Sequence, residues 1–403
     1  MKPPIKIAIL GATGSVGSSL IKIIDQNPNL IDVQSLSANK NLDLLASLAN
    51  RLKPKKLCVA AGMAERLLAK LTDKTIIIYE GEPGLVELAN DKQVDLLFLL
   101  VAGVHGIKAL FAALKRGIRV GLSNKESVIL GGKLINQLLA TYRGQIIPID
   151  SEHNALYQCL SARRLSDVNR LILTASGGPF LNYPRNSFPK ITPRQALKHP
   201  MWEMGSKISI DSATMMNKCL EIIEAHYLFK FPVAQISAIV HPQSVVHGIV
   251  EFKEGSSLAL MGQPDMRLPL SHCLGIGGDD INSGVPFMDL TKLGRLEFFE
   301  IDTKKFPTIN LAYEVLTLGE GAPAYLNGVN QELVEEFLQD KISFTDIFKI
   351  LQISVERVKY FFHNLSKAPQ FLVNQQTLDD ALAANFYGQE FVSKLFKSKK
   401  TIF

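Results

Sequence analysis

The sequence predicts a three-part α/β chain: a parallel-sheet domain, a central α+β domain and a C-terminal helical domain. Three observations carry this. Up to about residue 150, short apolar runs alternate with helical stretches, the pattern of βαβ units. Between 151 and 275 that rhythm gives way to an irregular stretch, one long helix pattern and a hairpin. Beyond about 305, helix patterns follow one another to the end.

The first part contains the runs IKIAIL, VQSL, KLCVA, TIIIY, DLLFLLVAG, RVGLS and QIIPID. Continuous apolar runs such as LLFLLV suit strands of a sheet covered on both faces. NRLILTAS is one more strand, followed by an irregular Pro-rich stretch from Gly177 to Ser206. TMMNKCLEIIEAHYLF then reads as a helix, and VVHGIVEF and SSLALMG, separated by KEG, as an antiparallel hairpin. The segment 275–290 is rich in Gly, Asp and Ser and reads as an extended connection. Helices are expected at 309–318, 329–339, 344–362 and 377–396. The expected domains are 1–150, 151–275 and 305–403, with 276–304 as a linker.

Hydrophobic residues make up 47% and charged residues 20% of the 403 positions, enough apolar material for a large core. The net charge of +6 is small and spread out. It does not argue for nucleic acid, whereas a local basic pocket for an anionic ligand fits it. The longest apolar stretches, such as Leu96 to Ala102, are too short to span a bilayer. Cys58, Cys159, Cys219 and Cys273 are widely separated, which disfavours a cysteine zinc site and favours a reduced setting. With no signal or transit pattern ahead of the first strand, a cytoplasmic protein is expected.

Residues 11–17, Gly-Ala-Thr-Gly-Ser-Val-Gly, follow the first strand and open a helix. Glycines there let the backbone turn tightly and approach a pyrophosphate, and the helix N-terminus supplies N–H donors. The spacing is a G-x-x-G-x-x-G variant of the dinucleotide fingerprint, so the first domain is expected to be Rossmann-like. Ser35-Leu36-Ser37-Ala38-Asn39-Lys40-Asn41 ends the second strand without the carboxylate that usually takes the ribose 2′-OH. Hydroxyl, amide and ammonium groups suit a 2′-phosphate, which favours NADPH. Otherwise Lys40 is a solvated surface lysine.

Pro148-Ile149-Asp150-Ser151-Glu152-His153-Asn154 sits at a strand end and a helix start. Asp150 and Glu152 are hard oxygen donors two residues apart, or else a helix cap and a first-turn acid. On the long helix, Asn217, Glu221 and Glu224 are spaced i, i+4, i+7 and share one face. Such a face is polar either because it meets solvent or because it lines a site. Asp211-Ser212-Ala213-Thr214 precedes the helix and offers capping groups. Together, Asp150, Glu152 and Glu221 could hold Mg²⁺ or Mn²⁺, and Ser176, Ser212, Asn217 and Lys218 a phosphate.

The segments GATGSVG, LSNKES, PIDSEHNA, LTASGGPF, HPMWEMGSKISIDSATMMNKCLEIIEA, HPQSVVHG and QPDMRLP, in this order over 11–269, resemble the 1-deoxy-D-xylulose 5-phosphate reductoisomerases. LTKLGRLEFFE and LNGVNQE resemble that family more loosely. The resemblance implies Asp150, Glu152 and Glu221 as metal ligands and Ser176, Ser212, Asn217 and Lys218 as the phosphate pocket. It implies Ser151, Lys125 and Glu152 at the substrate's hydroxyl and carbonyl end, with Lys125 and Glu152 as candidates for moving protons. His199, Trp202 and Met204 become parts of a lid over the substrate, with His199 also a catalytic candidate. Thr13, Gly14, Ser15, Val16, Asn124, Glu126 and Gly205 become cofactor contacts, beside Ala38, Asn39, Lys40 and Asn41. The chain departs from the family's usual pattern at Cys219, Ala175, Val104-His105-Gly106 and Asn39, where asparagine would still tolerate a left-handed backbone.

The implied reaction rearranges 1-deoxy-D-xylulose 5-phosphate at a divalent metal (Mg²⁺, Mn²⁺ or Co²⁺) and reduces the resulting aldehyde with NADPH to 2-C-methyl-D-erythritol 4-phosphate. The family also implies a homodimer built largely by the central sheet. Two rivals make distinct demands. A semialdehyde or dicarboxylate reductase of related fold needs a reactive cysteine or no metal. A silent NADPH-binding regulatory protein would have lost one of the carboxylates.

Overall fold

The computed structural model describes residues 3–202, 204–276, 278 and 280–397. By its internal contacts the chain forms two compact units, the first being residues 1–127, 135–157 and 265–288 and the second residues 128–134, 158–264 and 289–403.

The seven expected runs of the first unit are strands β1 (Ile5–Leu10), β2 (Ile31–Ser37), β3 (Lys56–Val59), β4 (Ile77–Glu80), β5 (Leu96–Leu99), β6 (Arg119–Leu122) and β7 (Gln145–Pro148). They form one sheet in the order β4-β3-β2-β1-β5-β6-β7, every neighbouring pair parallel. The order reverses between β1 and β5, and ligands of such sheets gather beyond the strands' carboxyl ends at that switch. Ile7, Ile9, Leu96 and Phe98 are fully buried, as strands covered on both faces require.

The described residues of 265–288 pack with this unit rather than extending freely. The helix Arg267–Gly275 puts Leu270, Cys273 and Leu274 into the same core as Ile7, Phe98 and Ile147. Farther on, Asn27 donates from Nδ2 to the Asn282 carbonyl (2.8 Å) and accepts from the Asn282 N–H at 3.0 Å. A segment read by composition as a loose connection is thus fixed by side-chain hydrogen bonds.

In the second unit β8 (Val168–Ala175), β9 (Ile236–Val240), β10 (Val246–Phe252) and β11 (Ser257–Met261) form a sheet ordered β11-β10-β8-β9. β10 and β11 are the expected hairpin, and β8 and β9 run parallel. The helices Thr308–Val315, Ala322–Leu338, Phe344–His363 and Leu378–Lys397 answer to the four expected helical stretches, the first ending three residues earlier and the second beginning seven residues earlier than expected. Apolar stripes join them: Leu326, Val329, Leu333, Ile347, Leu351 and Val392 are all buried.

Two local expectations are corrected. Asp211-Ser212-Ala213 does not cap the long helix but closes a separate one, Ser206–Ala213, and the long helix begins at Met216 after Met215 in the left-handed region (φ 59°). Only Thr214 retains a capping contact, its Oγ1 accepting from the Met216 N–H at 3.3 Å. Among the described residues, the non-glycine positions of positive φ are Lys53, Met215, Lys230, Ser244 and Asp340, so Asn39 does not take the left-handed backbone.

Candidate active site

In the first unit the glycine turn leaves β1 where the sheet order reverses. Gly11 has φ 99°, and a Cβ there would lie 2.8 Å from the Leu100 carbonyl carbon. Gly17, in the first turn of the helix Ser15–Gln26, would bring a Cβ to 2.4 Å from the Gly11 oxygen. Glycine at both positions is therefore a steric demand, and the result is a tight backbone cradle at a helix N-terminus that fits a pyrophosphate. Gly14 and Ser15 face solvent and Thr13 and Val16 are half-buried.

The end of β2 lies beside this cradle. The Gly11 N–H donates to Ser37 Oγ at 3.0 Å. Ala38 is buried, whereas Asn39, Lys40 and Asn41 are exposed. Asn41 Oδ1 caps the next helix through the Leu44 N–H (3.2 Å). Asn124 is buried and committed to the fold: its Nδ2 donates to the Val101 and Gly103 carbonyls and its Oδ1 accepts from the Ser127 N–H.

The same unit holds the first acidic cluster, just beyond the carboxyl end of β7. Lys125, 6% exposed, opens the helix Lys125–Thr141, and its Nζ lies 2.8 Å from Asp150 Oδ2. Ser151 Oγ donates to Glu152 Oε2 at 2.6 Å. Burial pushes the Asp150 carboxyl up, the Lys125 ammonium opposes that shift, and the negative charges of Glu152 and Glu126 add to it. Asp150 is thus opposed by one ammonium and flanked electrostatically by two further carboxylates, a negative excess in a shielded place. Hard oxygen donors with that excess fit a divalent cation such as Mg²⁺ or Mn²⁺.

In the second unit the polar face of the long helix points inward. Lys218, Glu221 and Glu224 are 3%, 1% and 1% exposed, which removes the solvent-facing reading. Glu221 accepts from Asn217 Nδ2 and pairs with the Lys218 ammonium, and Lys218 Nζ also donates to the Thr174 carbonyl at 2.5 Å. Gly178, with φ 68°, lets the loop after β8 approach: a Cβ there would lie 2.7 Å from the Ser212 carbonyl oxygen. Ser176 and Ser212 are thereby held on neighbouring backbone.

His199 supports Ser176. Its Nδ1 accepts from the Met201 and Trp202 N–H groups at 3.2 and 2.9 Å. The ring proton therefore sits on Nε2, 3.0 Å from Ser176 Oγ, to which it donates. Ser176 Oγ also accepts from the Gly178 N–H at 3.3 Å, so its own hydroxyl hydrogen is left available to donate. Trp202 and Met204 are half-buried and belong to neither helix nor strand, and Gly205 is exposed at the start of the helix Ser206–Ala213.

Some residues support the site in ways not read from sequence, where Asp211 figured only as a helix cap. Asp211 is buried, pairs with Lys207 at 2.7 Å and accepts from Asn330 Nδ2 at 2.7 Å. Thr308 Oγ1 donates to the Thr214 carbonyl at 2.6 Å. Asn330 lies in LNGVNQE, a stretch that only loosely resembles the family, and the structure buries it fully together with Asn327, unusual for asparagine on a helix. The four cysteines are all buried. Desolvation pushes the Cys58 thiol up to about 12 and raises those of Cys159, Cys219 and Cys273. None is a poised thiolate, which disfavours a reductase with a cysteine nucleophile.

Comparison with known proteins agrees with this chemistry. Family models described as 1-deoxy-D-xylulose 5-phosphate reductoisomerase match residues 7–132, and models of its C-terminal domains match residues 146–229 and 261–386. The 1-deoxy-D-xylulose 5-phosphate reductoisomerase of Ruthia magnifica is 42% identical over 355 residues, covering 88% of this chain and 92% of that protein. That of Halothermothrix orenii is 41% identical, covering 88% and 91%. A solved DOX-P reductoisomerase in complex with NADPH, fosmidomycin and magnesium superposes with a TM-score of 0.90 at 38% identity, covering 98% of this chain and 99% of that one. The Zymomonas mobilis enzyme in complex with NADPH gives 0.88 at 36%, covering 98% and 100%. On this evidence the chain belongs to the 1-deoxy-D-xylulose 5-phosphate reductoisomerase family.

Proposed function

We propose that this chain converts 1-deoxy-D-xylulose 5-phosphate to 2-C-methyl-D-erythritol 4-phosphate with NADPH and a divalent metal. The observation that carries the reading is the pairing, in one unit, of the Gly11–Gly17 cradle with the Lys125–Asp150 cluster beyond the ends of the same parallel strands.

Asp150, Glu152 and Glu221 are assigned as the metal's oxygen ligands. When bound, the cation supplies Lewis-acid stabilisation of charge developing on the substrate oxygens, and NADPH supplies the hydride. Lys125 and Glu152 are the groups placed to hold or move a proton: the Lys125 ammonium stands beside Asp150, and Glu152 accepts from the Ser151 hydroxyl. Ser176, Ser212, Asn217 and Lys218 are assigned to the phosphate, with His199 aiming the Ser176 hydroxyl. Holding the phosphate away from the reacting carbons lets its binding energy close the lid segment of His199, Trp202 and Met204 and exclude water. Thr13, Gly14, Ser15, Val16, Ala38, Asn39, Lys40, Asn41, Asn124, Glu126 and Gly205 are assigned to the cofactor, Asn124 through the helix start that it caps. The test is NADPH oxidation by the purified chain with substrate and Mn²⁺, with the product identified. NADPH that stays unoxidised while still binding would point to the silent regulatory reading.

Lys40→Glu should raise the KM for NADPH about tenfold or more and improve NADH relative to it, because a carboxylate repels a 2′-phosphate. Lys40 is exposed and makes no ion pair among the described residues, so the substitution leaves the fold intact. An unaltered cofactor preference in steady-state assays would place Lys40 away from the ribose.

Trp202 is the only tryptophan, so its emission has one source. A phosphonate bearing a hydroxamate should shift that emission and protect the 198–205 segment from protease. Trp202→Ala should lower kcat/KM by about tenfold or more with a change in Tm of only a few degrees. Unchanged emission on binding, together with a collapsed Tm in Trp202→Ala, would make the residue part of the core.

A cytoplasmic homodimer completes the reading. β11 is an edge strand exposed over most of its length, with Leu258 and Met261 facing out. Unpaired edges of this kind call for a cover. Sedimentation at micromolar concentration tests it, with a monomer counting against it.

A further inference from the structure

We propose that His272 is a positioning residue for the metal-binding turn, acting through Asn154; the proposal rests on the assignment of Asp150 and Glu152 as metal ligands. The turn Pro148–Asn154 carries both carboxylates and is closed by Asn154. The Asn154 N–H donates to the Asp150 carbonyl at 2.8 Å. The Asn154 Nδ2 donates to the Pro148 carbonyl, also at 2.8 Å. One residue thus ties both ends of the segment that holds Asp150, Ser151 and Glu152.

The same Nδ2 lies 3.1 Å from His272 Nδ1. Because the Pro148 carbonyl can only accept, the nitrogen end of the carboxamide is fixed there, and His272 Nδ1 must accept the second Nδ2 hydrogen. His272 is therefore neutral, with its proton on Nε2. Burial acts in the same direction, lowering the pKa of the ring. Asn154 itself is 1% exposed. Without the His272 acceptor, the carboxamide would lose one of the contacts that orient it, and its hold on the Pro148 carbonyl would weaken.

His272 is held stiffly enough to serve as a reference point. Its helix, Arg267–Gly275, buries Leu270, Cys273 and Leu274 completely. The helix start is fastened by Arg267, which donates to Asp265 from both Nε and Nη2. The Tyr157 ring meets the His272 ring edge-on, with centroids 6.0 Å apart, and the Tyr157 hydroxyl accepts from Gln145 Nε2 at 2.6 Å. Gln145 and Pro148 are the two ends of β7. The contacts from β7 to Tyr157, His272, Asn154 and back to β7 form a closed ring around the base of the acidic turn.

The test is Mn²⁺ binding to the full chain, followed by the paramagnetic resonance signal of free Mn²⁺, with NADPH binding measured alongside. His272→Leu keeps bulk and removes the acceptor, and it should weaken Mn²⁺ about tenfold, at the lower end of the ~10–100-fold seen when a ligand's supporting partner is removed. NADPH affinity should stay within about twofold. His272→Asn places an amide oxygen near the Nδ1 position and should restore most of the Mn²⁺ affinity. Should His272→Leu fail to fold, His272→Gln, whose amide lies one bond farther out, provides the comparison with His272→Asn. Equal weakening in the Asn and Leu (or Gln) variants would reduce His272 to packing and overturn the proposal. So would wild-type Mn²⁺ affinity in His272→Leu while Asp150→Asn has lost it. Wild-type affinity in Asp150→Asn would instead overturn the ligand assignment, and the positioning role with it.

Discussion

Glu221→Gln is expected to lower kcat/KM by at least about 10³-fold, roughly 4 kcal/mol of transition-state stabilisation. The substitution keeps size and one acceptor oxygen but removes the charge assigned to the metal. Its surroundings add a second cost. Glu221 is 1% exposed and pairs with Lys218, itself 3% exposed. Removing one partner of a buried pair leaves the other charge uncompensated, at about 3–5 kcal/mol in full. Lys218 keeps the Thr174 carbonyl and the new amide still offers an oxygen, so a stability loss near or below the lower end of that range is expected. The two effects separate by measurement: a melt reports the pair, and a Mn²⁺ titration of turnover reports the ligand. Near-normal kcat/KM at low Mn²⁺ would remove Glu221 from the ligand set, whatever the melt shows.

The substitution also marks what the sequence could and could not reveal. Asn217, Glu221 and Glu224 were legible as one helical face, because periodicity is a local property. The burial of Glu221 and Glu224 was not, since it depends on contacts remote in the chain, as when the neighbouring Lys218 reaches the Thr174 carbonyl 44 residues away. The strands of the parallel sheet were legible for the same local reason: each is a short β-branched or apolar run between breakers. The helix Ser206–Ala213 was missed because SKISIDSA has weak apolar periodicity and its Asp-Ser pair imitates a cap. What fixes it is remote, with Asn330 reaching Asp211 and Thr308 reaching the Thr214 carbonyl. The return of residues 265–288 to the first unit was hidden likewise, in the hydrogen bonds between Asn27 and Asn282. In the acidic cluster, the spacing of Asp150 and Glu152 pointed to hard oxygen ligands, but no pattern in the sequence joined Asn154 to His272.

Gly17→Ala should be the most damaging single methyl in the first unit. Of the three glycines in the turn, the fingerprint treats all alike, whereas the backbone does not. Gly14 has φ −79° and ψ 175°, open to any residue, and a Cβ there would meet nothing nearer than the Gly11 oxygen at 3.5 Å. Gly14→Ala should therefore melt like the wild type, with its effect confined to cofactor affinity. Gly11→Ala is strained by its φ of 99° and by the Leu100 carbonyl carbon at 2.8 Å. At Gly17 the added Cβ would fall 2.4 Å from the Gly11 oxygen and 2.6 Å from the Ala12 oxygen. Both obstacles are backbone, so no side chain can swing aside, and relief comes only by opening the turn assigned to the pyrophosphate. Overpacking of this kind costs about 1–3 kcal/mol and occasionally more. On the proposed assignment, opening the turn would also move its N–H donors away from the phosphates. NADPH affinity in Gly17→Ala should fall by about 100-fold or more, equivalent to roughly 2.7 kcal/mol. Fluorescence titration with NADPH, paired with a melt of each variant, gives the ranking. If Gly17→Ala binds NADPH within about twofold of the wild type while Gly14→Ala does not, the tight helix-to-turn contact is not what forms the cofactor cradle.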